Sequence, residues 1–335
     1  VKSNAQDQPG ACWQGQKVLI TGGAGFIGST LANRLVNLGA RVTVMDSLVR
    51  NYGGNLFNLK ECADRLQINF SDLRDPYSLE ALLQDVDYVF NMAGQTSHMD
   101  SMHDPHTDLS INCKAQLNLL ETLRRVSVDV RIVFVSTRQI YGRPQYLPVD
   151  EKHPVSPVDI NGIHKYAAEQ YHQLYHSLYG LRTTILRLTN TIGPRMRIKD
   201  ARQTFVGVWI RNLIEQRPIE IWGGEQLRDF NDVDDVVEAL LLAAGLEDCF
   251  GQVFNLGSKR HISLLDLGQL MIDIHGSGEL RIKDYPKERA HIDIGDYYSD
   301  HQSFSSLTGW SPKTPLEQTL ERTITYYRDN LHSYV

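Results

Sequence analysis

The stretch "KVLITGGAGFIG" (17–28) decides the fold. Its first five residues are a short apolar run of the kind buried in a parallel sheet, and the glycines after it end the strand in a turn. "STLANRLVNLG" (29–39) then has helical apolar spacing and stops at a glycine. A strand, a glycine turn and a helix in that order make a cradle for a pyrophosphate. The ligand must come close to backbone N–H groups at the helix N-terminus, and side chains there would block it. Gly22, Gly25 and Gly28, with Phe26 and Ile27 between them, are the expected contacts.

Working outward, "RVTVMD" (41–46) reads as the second strand and ends in Asp46. A carboxylate about 20 residues past the glycine turn would hold the two ribose hydroxyls of NAD and repel the extra phosphate of NADP. NAD is therefore the expected cofactor. Further strands are expected at 66–72, 86–93, 130–137 and 183–190, separated by helical patterns around 75–84, 107–126 and 161–178. This alternation predicts a Rossmann-type, doubly wound parallel sheet in an α/β fold. After the third strand, Asp72 and Leu73 fall where the adenine edge would lie, though a solvated loop aspartate fits the pattern equally well. "NMAGQ" (91–95) ends the fourth strand in small residues, so Ala93 and Gln95 are expected beside the cofactor's backbone.

Past residue 190 the rhythm changes. Helices are expected at 205–216, 232–245 and 315–331, with one more buried strand at 251–258. The expected organisation is an NAD-binding domain over 16–189, completed by about 229–257. A smaller mixed α/β C-terminal substrate domain takes 190–228 and 258–330. Apolar content of 41% and charged content of 22% are those of an ordinary globular protein. A net charge of -6 without blocks of like charge argues against nucleic acid or an anionic membrane as partner. No apolar run reaches the length of a membrane span, and the polar opening "VKSNAQDQPGACWQGQ" lacks the core of a signal peptide. The 4 cysteines are far apart and show no CxxC spacing, so neither a disulfide scaffold nor a metal site is expected, and a cytoplasmic location is the default.

These motifs together resemble the extended short-chain dehydrogenase/reductases of the nucleotide-sugar epimerase and dehydratase kind. The likeness covers about residues 16–330 and rests on "TGGAGFIG", Asp46, "NMAGQTSHMDSMHDP", Asn112, "VSTRQIYG", Lys165, "LRLTNTIGP", "LRDFNDVDD", "NLGS" and "LTGWSP". It implies that Thr137 bonds the sugar 4-hydroxyl and that Lys165 holds the nicotinamide ribose. It also implies a tyrosine four residues before the lysine, whose phenolate takes the hydroxyl proton as hydride leaves C4. That position is Asn161. Asparagine does not ionise, so it can orient a hydroxyl but cannot carry its proton away. His164, flanking the same helical stripe, is the candidate replacement base, against its more ordinary reading as a structural histidine; Tyr166 is expected in the core. Some dehydratases of the wider family also lack the tyrosine.

The same resemblance sharpens the reaction. Sugar 4,6-dehydratases with this threonine follow it with Asp-Glu, and UDP-glucuronate decarboxylases carry a glutamate at the place of Gln139. Here the pair is Arg138-Gln139, and neither shuttles protons near neutral pH. Arg138 either pairs with an anionic sugar substituent or is structural. Asn190, Arg228 and Arg289 match residues that contact the substrate diphosphate, a natural use of guanidinium groups. The leading expectation is an NAD-dependent nucleotide-sugar epimerase acting at C4 through a transient 4-keto sugar. A dehydratase with a relocated acid/base and a catalytically idle sugar-nucleotide binder stay open. In the resembled family the helices at 107–126 and 161–178 pair across a two-fold axis, so a homodimer is expected, although core packing explains most of their apolar residues, among them Leu117, Leu120, Tyr171 and Tyr175.

Overall fold

Seven parallel strands form the main sheet, in the spatial order β3-β2-β1-β4-β5-β6-β10. The computed structural model describes residues 13–50, 52–127, 129–202, 204–285 and 293–335. In chain order the strands begin with β1 (Lys17–Thr21), β2 (Arg41–Met45), β3 (Gln67–Asn69), β4 (Tyr88–Asn91), β5 (Arg131–Thr137) and β6 (Arg182–Leu188). The chain then leaves the sheet for β7 (Asn190–Ile192), β8 (Ile219–Trp222) and β9 (Leu227–Asp232), and returns as β10 (Val253–Asn255). Strands β11 (His261–Ser263) and β12 (Leu280–Lys283) complete two small sheets, β11-β9-β7 and β12-β8.

Helices α1 (Phe26–Asn37), α2 (Pro76–Leu83), α3 (His98–His103), α4 (Pro105–Leu109), α5 (Ala115–Val126) and α6 (Ile160–Tyr179) belong to the first half of the chain. The second half adds α7 (Phe205–Ile214), α8 (Val233–Gly245), α9 (Leu264–His275), α10 (Gln302–Thr308) and α11 (Leu316–Asn330). Because strand side chains alternate, the sheet buries both faces. Val18, Ile20, Val42, Val44 and Phe90 pack with Leu31 and Leu35 of α1 and Val236 and Leu240 of α8. On the other face Leu19, Val89 and Ile132 meet Leu79 and Leu83 of α2, Leu119 and Leu123 of α5, and Tyr175 of α6. A separate core outside the sheet joins α7, α9 and α11 to β8 through Ile210, Leu213, Ile221, Leu267, Met271 and Ile324.

Two departures from the expected elements bear on function. The helix expected at 107–126 is α4 and α5 joined by a π turn over Ser110–Lys114. That turn carries Asn112, whose amide bonds residues of α4 and of the β4 loop. The strand expected at 183–190 stops at Leu188, where Thr189 donates to the buried Asp229 and the chain crosses into the sheet of β9. The short strands β8 and β11 escaped the sequence reading, since runs of so few residues carry little periodicity.

His172 of α6 is fully buried, stacks on Phe134 with centroids 4.6 Å apart, and among the described residues finds no hydrogen-bond partner for either ring nitrogen. Burial, with the Lys165 charge nearby, pushes its pKa from 6.5 to about 3. The unfolded chain therefore binds the extra proton between those values. The stability that comes from burying a neutral ring is present above pH 6.5 and is lost as pH falls toward 3. Removing the titration with His172→Leu should flatten the loss of unfolding free energy between pH 7 and pH 5 by about 2 kcal/mol, read from urea melts at both pH values. Equal slopes in the two proteins would show that His172 is not buried in neutral form.

Candidate active site

In an open parallel sheet, ligands bind past the C-terminal ends of the strands where the strand order reverses. Here that point lies between β1 and β4, and a long cavity opens there. Its walls come from the ends of β1, β2, β4, β5 and β6 and the loops after them.

The glycine turn forms the floor. Gly22 has φ +68, and a Cβ on it would lie 2.9 Å from the Ala93 nitrogen; a Cβ on Gly28 would lie 2.4 Å from the Gly22 carbonyl oxygen. Only glycine lets β1, the β4 loop and α1 approach this closely. Gly25 is the N-cap of α1, and no side chain caps that helix end. The first-turn N–H groups have no intrahelical acceptor, which leaves them to an anion at the cavity floor. Gly22, Gly25, Phe26, Ile27 and Gly28 all line the cavity.

Asp46 closes one side. Its carboxylate accepts N–H groups from Ala24 at 3.0 Å and Leu48 at 2.9 Å, and among the described residues no cation pairs with it. Burial raises its pKa, while those N–H bonds act the other way. Each oxygen keeps acceptor capacity for a hydroxyl, and the buried charge opposes a second anion. Asp72 and Leu73 line the same end. Asp72 is bound by the Arg74 guanidinium at 2.9 and 2.7 Å, which holds its carboxyl below the usual range.

The opposite end gathers Ala93, Gln95, Thr137, Arg138, Asn161, Lys165 and Asn190 along the cavity wall. Lys165 donates to the Val135 carbonyl at 2.7 Å and sits 4.5 Å from the centre of the Phe134 ring. Burial pushes its ammonium down to about 8, against the opposing pull of Glu169 and Asp108. The Asn161 amide donates to the Gln95 carbonyl at 2.8 Å and to Asp108 at 3.1 Å. Both partners are acceptors, so its two N–H groups are used and only the carbonyl oxygen is left for a ligand. The Arg138 guanidinium lies over Tyr297 and donates to Asn190 at 3.1 Å. Its Nη1 is buried without a partner, and among the described residues it forms no ion pair. Burial pushes it below its usual range. Such a buried cation fits an anion brought by a ligand.

Three expected site residues are not in the cavity wall. His164 is one position away from Lys165, and that turn of the helix aims it at α4, where Nδ1 meets the fully buried Asp108 at 2.7 Å. Gln139 is buried behind the wall and donates to Asp159 at 2.9 Å. Arg228 is buried too, donating to the carbonyls of Leu227 and Gly295; burial and the Arg138 charge bring it down to about 10. Arg289 lies outside the described residues. Tyr166 packs in the small cluster around Ile140 and Tyr141. The sequence reading missed His98, Tyr52 and Thr204, which do line the cavity. His98 follows "NMAGQ" closely in sequence and opens α3, past the end of a central strand.

Comparison with known proteins now fits this geometry. The model of the NAD dependent epimerase/dehydratase family matches residues 18–257. The chain belongs to that family. It is 33% identical to the putative UDP-glucose 4-epimerase of Methanocaldococcus jannaschii, over 93% of this chain and 99% of the relative. It is 30% identical to UDP-glucuronic acid decarboxylase 1 of Xenopus tropicalis, over 94% of this chain and 73% of that protein. Among solved structures, UDP-glucose 4-epimerase of Thermotoga maritima with UDP-glucose aligns at TM-score 0.87 and 31% identity, over 94% of this chain and 100% of the other. The fold is thus an extended short-chain dehydrogenase/reductase fold and the cofactor is NAD, which the uncapped helix N-terminus and the unpaired Asp46 carboxylate fit. Among the described residues no cluster could hold a metal ion, and no helix is long and apolar enough to cross a membrane.

Asp46 should set the choice of dinucleotide. Isothermal titration of cofactor-free protein is expected to show NAD binding far more tightly than NADP, and Asp46→Ala to narrow the gap mainly by weakening NAD. Comparable affinities in the wild type would remove Asp46 from the ribose site.

Proposed function

We propose that the protein is an NAD-dependent nucleotide-sugar epimerase that inverts C4 through a transient 4-keto sugar. One observation favours epimerisation over dehydration. Among the described residues lining the cavity, the only carboxylates are Asp46 and Asp72, both at the ends of β2 and β3. Dehydration needs an acid and a base beyond the hydride step, and the wall around Thr137 offers no carboxyl group for either. Epimerisation needs only reversible removal of hydride and proton, with a sugar free to turn over between them.

In this reading the glycine turn holds the pyrophosphate and Asp46 the adenosine ribose. Bound NAD supplies a reversible hydride acceptor. Thr137 bonds the 4-hydroxyl, and the free Asn161 carbonyl orients the hydroxyl hydrogen. Lys165 holds the nicotinamide ribose. Asn190 and Arg138 take the substrate's anionic part, with Arg228 assigned to the diphosphate from behind the wall and Arg289 assigned to it by the resemblance alone. Residues 16–189 with 229–257 would then be the cofactor domain, and 190–228 with 258–330 the substrate domain.

The helix pair α5/α6 also supports a homodimer. Ile163, Leu174 and Leu178 are 48%, 49% and 63% exposed, and their spacing places them on one stripe of α6. An unpaired apolar stripe of this kind suits a second copy of the same helix. Sedimentation velocity is expected to show a dimer that Leu174→Glu with Leu178→Glu dissociates; a monomeric wild type would remove the assignment.

The direct test is product analysis with a panel of UDP-, dTDP-, CDP- and GDP-sugars. A C4 epimer is the expected product of one of them. A 4-keto-6-deoxy sugar would make the protein a dehydratase, and no conversion of any sugar would make it an idle binder. Lys165→Ala is expected to abolish turnover while leaving the far-UV circular dichroism unchanged. Full activity in that variant would mean that α6 is not the catalytic helix.

A further inference from the structure

We propose that His98 is the catalytic acid–base of this reaction, taking the hydroxyl proton that Asn161 cannot take. The proposal rests on the epimerase reading above.

The proton needs an acceptor in the cavity wall, and the described titratable groups there are few: Asp46, Tyr52, Asp72, His98, Arg138 and Lys165. Asp46 and Asp72 stand at the adenosine end, with Asp72 already bound by Arg74. Tyr52 is a neutral phenol whose pKa burial raises further. Arg138 is a guanidinium, which does not act as a base. Lys165, near 8, is mostly an ammonium ion at neutral pH and already donates to Val135. Of these six, only His98 carries an imidazole, which can accept a proton at one ring nitrogen while the other keeps its own and then give it back.

Its surroundings are built for that. His98 opens α3, which packs on the first turn of α6: Asn161 N–H donates to the Ser101 hydroxyl at 3.3 Å, and that hydroxyl donates to the His98 carbonyl at 2.7 Å. The imidazole is 38% exposed, and its Nδ1 lies 2.9 Å from Oδ2 of Asp159, which has no exposed side-chain surface. The carboxylate sits off the line of the ring N–H, so the contact is an ion pair in waiting more than a well-directed hydrogen bond. Catalytic contacts of this type commonly tighten only when substrate binds.

Asp159 is itself fixed. One oxygen accepts the Gly162 N–H at 2.7 Å, which caps α6, and the other accepts from Gln139 at 2.9 Å. Burial alone would raise its carboxyl, but His98, Gly162 and Gln139 together hold it below the usual range. An ionised carboxylate therefore stands behind the imidazole, two residues before Asn161. The other carboxylates around α3 are engaged elsewhere: Asp100 with Arg202 at 2.8 Å, Asp108 with His164 behind Asn161, and Asp104 with the Thr107 N–H at 3.1 Å as the cap of α4. No hydrogen bond engages Nε2 of His98 among the described residues, and the residue lines the cavity.

The step balances as follows. The O–H bond of the sugar hydroxyl breaks, its electron pair becomes the second bond of the carbonyl, and Nε2 takes the proton. The C4–H pair leaves together as hydride to NAD⁺. The imidazolium formed is paired with Asp159. After the keto sugar has turned over, hydride returns to the other face of C4 and Nε2 gives the proton back to the oxygen. Orientation by Asp159 is the same division of labour that couples an imidazole to a buried aspartate in a hydrolase triad.

The test uses NAD-loaded protein and the panel sugar that the wild type converts. His98→Gln is expected to lower kcat by about 10²–10⁴-fold with KM unchanged, the range a positioned base supplies. Asp159→Asn, which can still cap α6, should keep part of the rate and move the pH at which it rises downward. A readout that needs no turnover is the pH titration of the ¹³C-histidine signal that His98→Gln removes; its midpoint should drop in Asp159→Asn. A converting wild type whose rate survives His98→Gln overturns the assignment alone, as does an unmoved midpoint. A wild type that converts no sugar overturns the epimerase reading and this proposal with it.

Discussion

A single carboxylate without exposure to water, Asp108, fixes the geometry around which the active site is arranged. It accepts from Asn112 in the π turn at 3.0 Å, from Asn161 at 3.1 Å and from His164 at 2.7 Å. Three elements are tied by one buried side chain, and its cost of burial is offset by the donors converging on it. The same knot decides what Asn161 can do. With both amide hydrogens committed to Asp108 and the Gln95 carbonyl, Asn161 is an oriented acceptor and nothing more. Asn112, carried by the π turn, meets both Asp108 and the Gln95 backbone.

Beyond this knot the site is a set of charges kept from water. Burial lowers Lys165 to about 8, and burial with the Arg138 charge lowers Arg228 to about 10 even with Asp293 at 3.7 Å; Arg138 forms no ion pair among the described residues. Unmatched cations in a protein interior are expensive to keep. They make sense when the missing anion arrives with the ligand, as a diphosphate would. The adenosine end shows the converse: the Asp46 carboxylate carries no cation and leaves its free lone pairs for ribose hydroxyls. The two ends of the cavity thus carry opposite unmet charge.

The sheet was readable in the sequence because its strands are buried on both faces and its helices are amphipathic, which are the patterns that survive without tertiary information. The glycine turn, Asp46, Thr137, Asn161 and Lys165 were readable for a related reason: each is pinned to the end of a strand or the first turn of a helix. His164 shows where that logic stops. Helical spacing put it beside Lys165, but spacing does not reveal that Asp108, 56 residues away in sequence, would claim its ring. The burial of Gln139 and Arg228 behind the wall was hidden for the same reason, since burial and the choice of partner are properties of the packed molecule. The strands β8 and β11 were lost to shortness alone. His98 was missed because a histidine in a six-residue helix has no periodic context; only the approach of Asp159 singles it out.

On the proposed reading, asparagine at position 161 divides a task that a tyrosine there would perform alone. A phenolate both positions the hydroxyl and accepts its proton, so its pKa must be brought down by a nearby ammonium. An amide keeps the first job without needing that shift, which leaves Lys165 free to sit close to neutrality. The proton-accepting job then requires a group of ordinary basicity near the same hydroxyl, with a counter-charge for its protonated form. Asp159 caps α6 from a buried position, and its donors favour the charged carboxylate. A histidine placed against a carboxylate that the fold keeps charged adds a base without adding a second buried ion, and the neutral Gln139 preserves that charge by donating to it instead of competing for its proton.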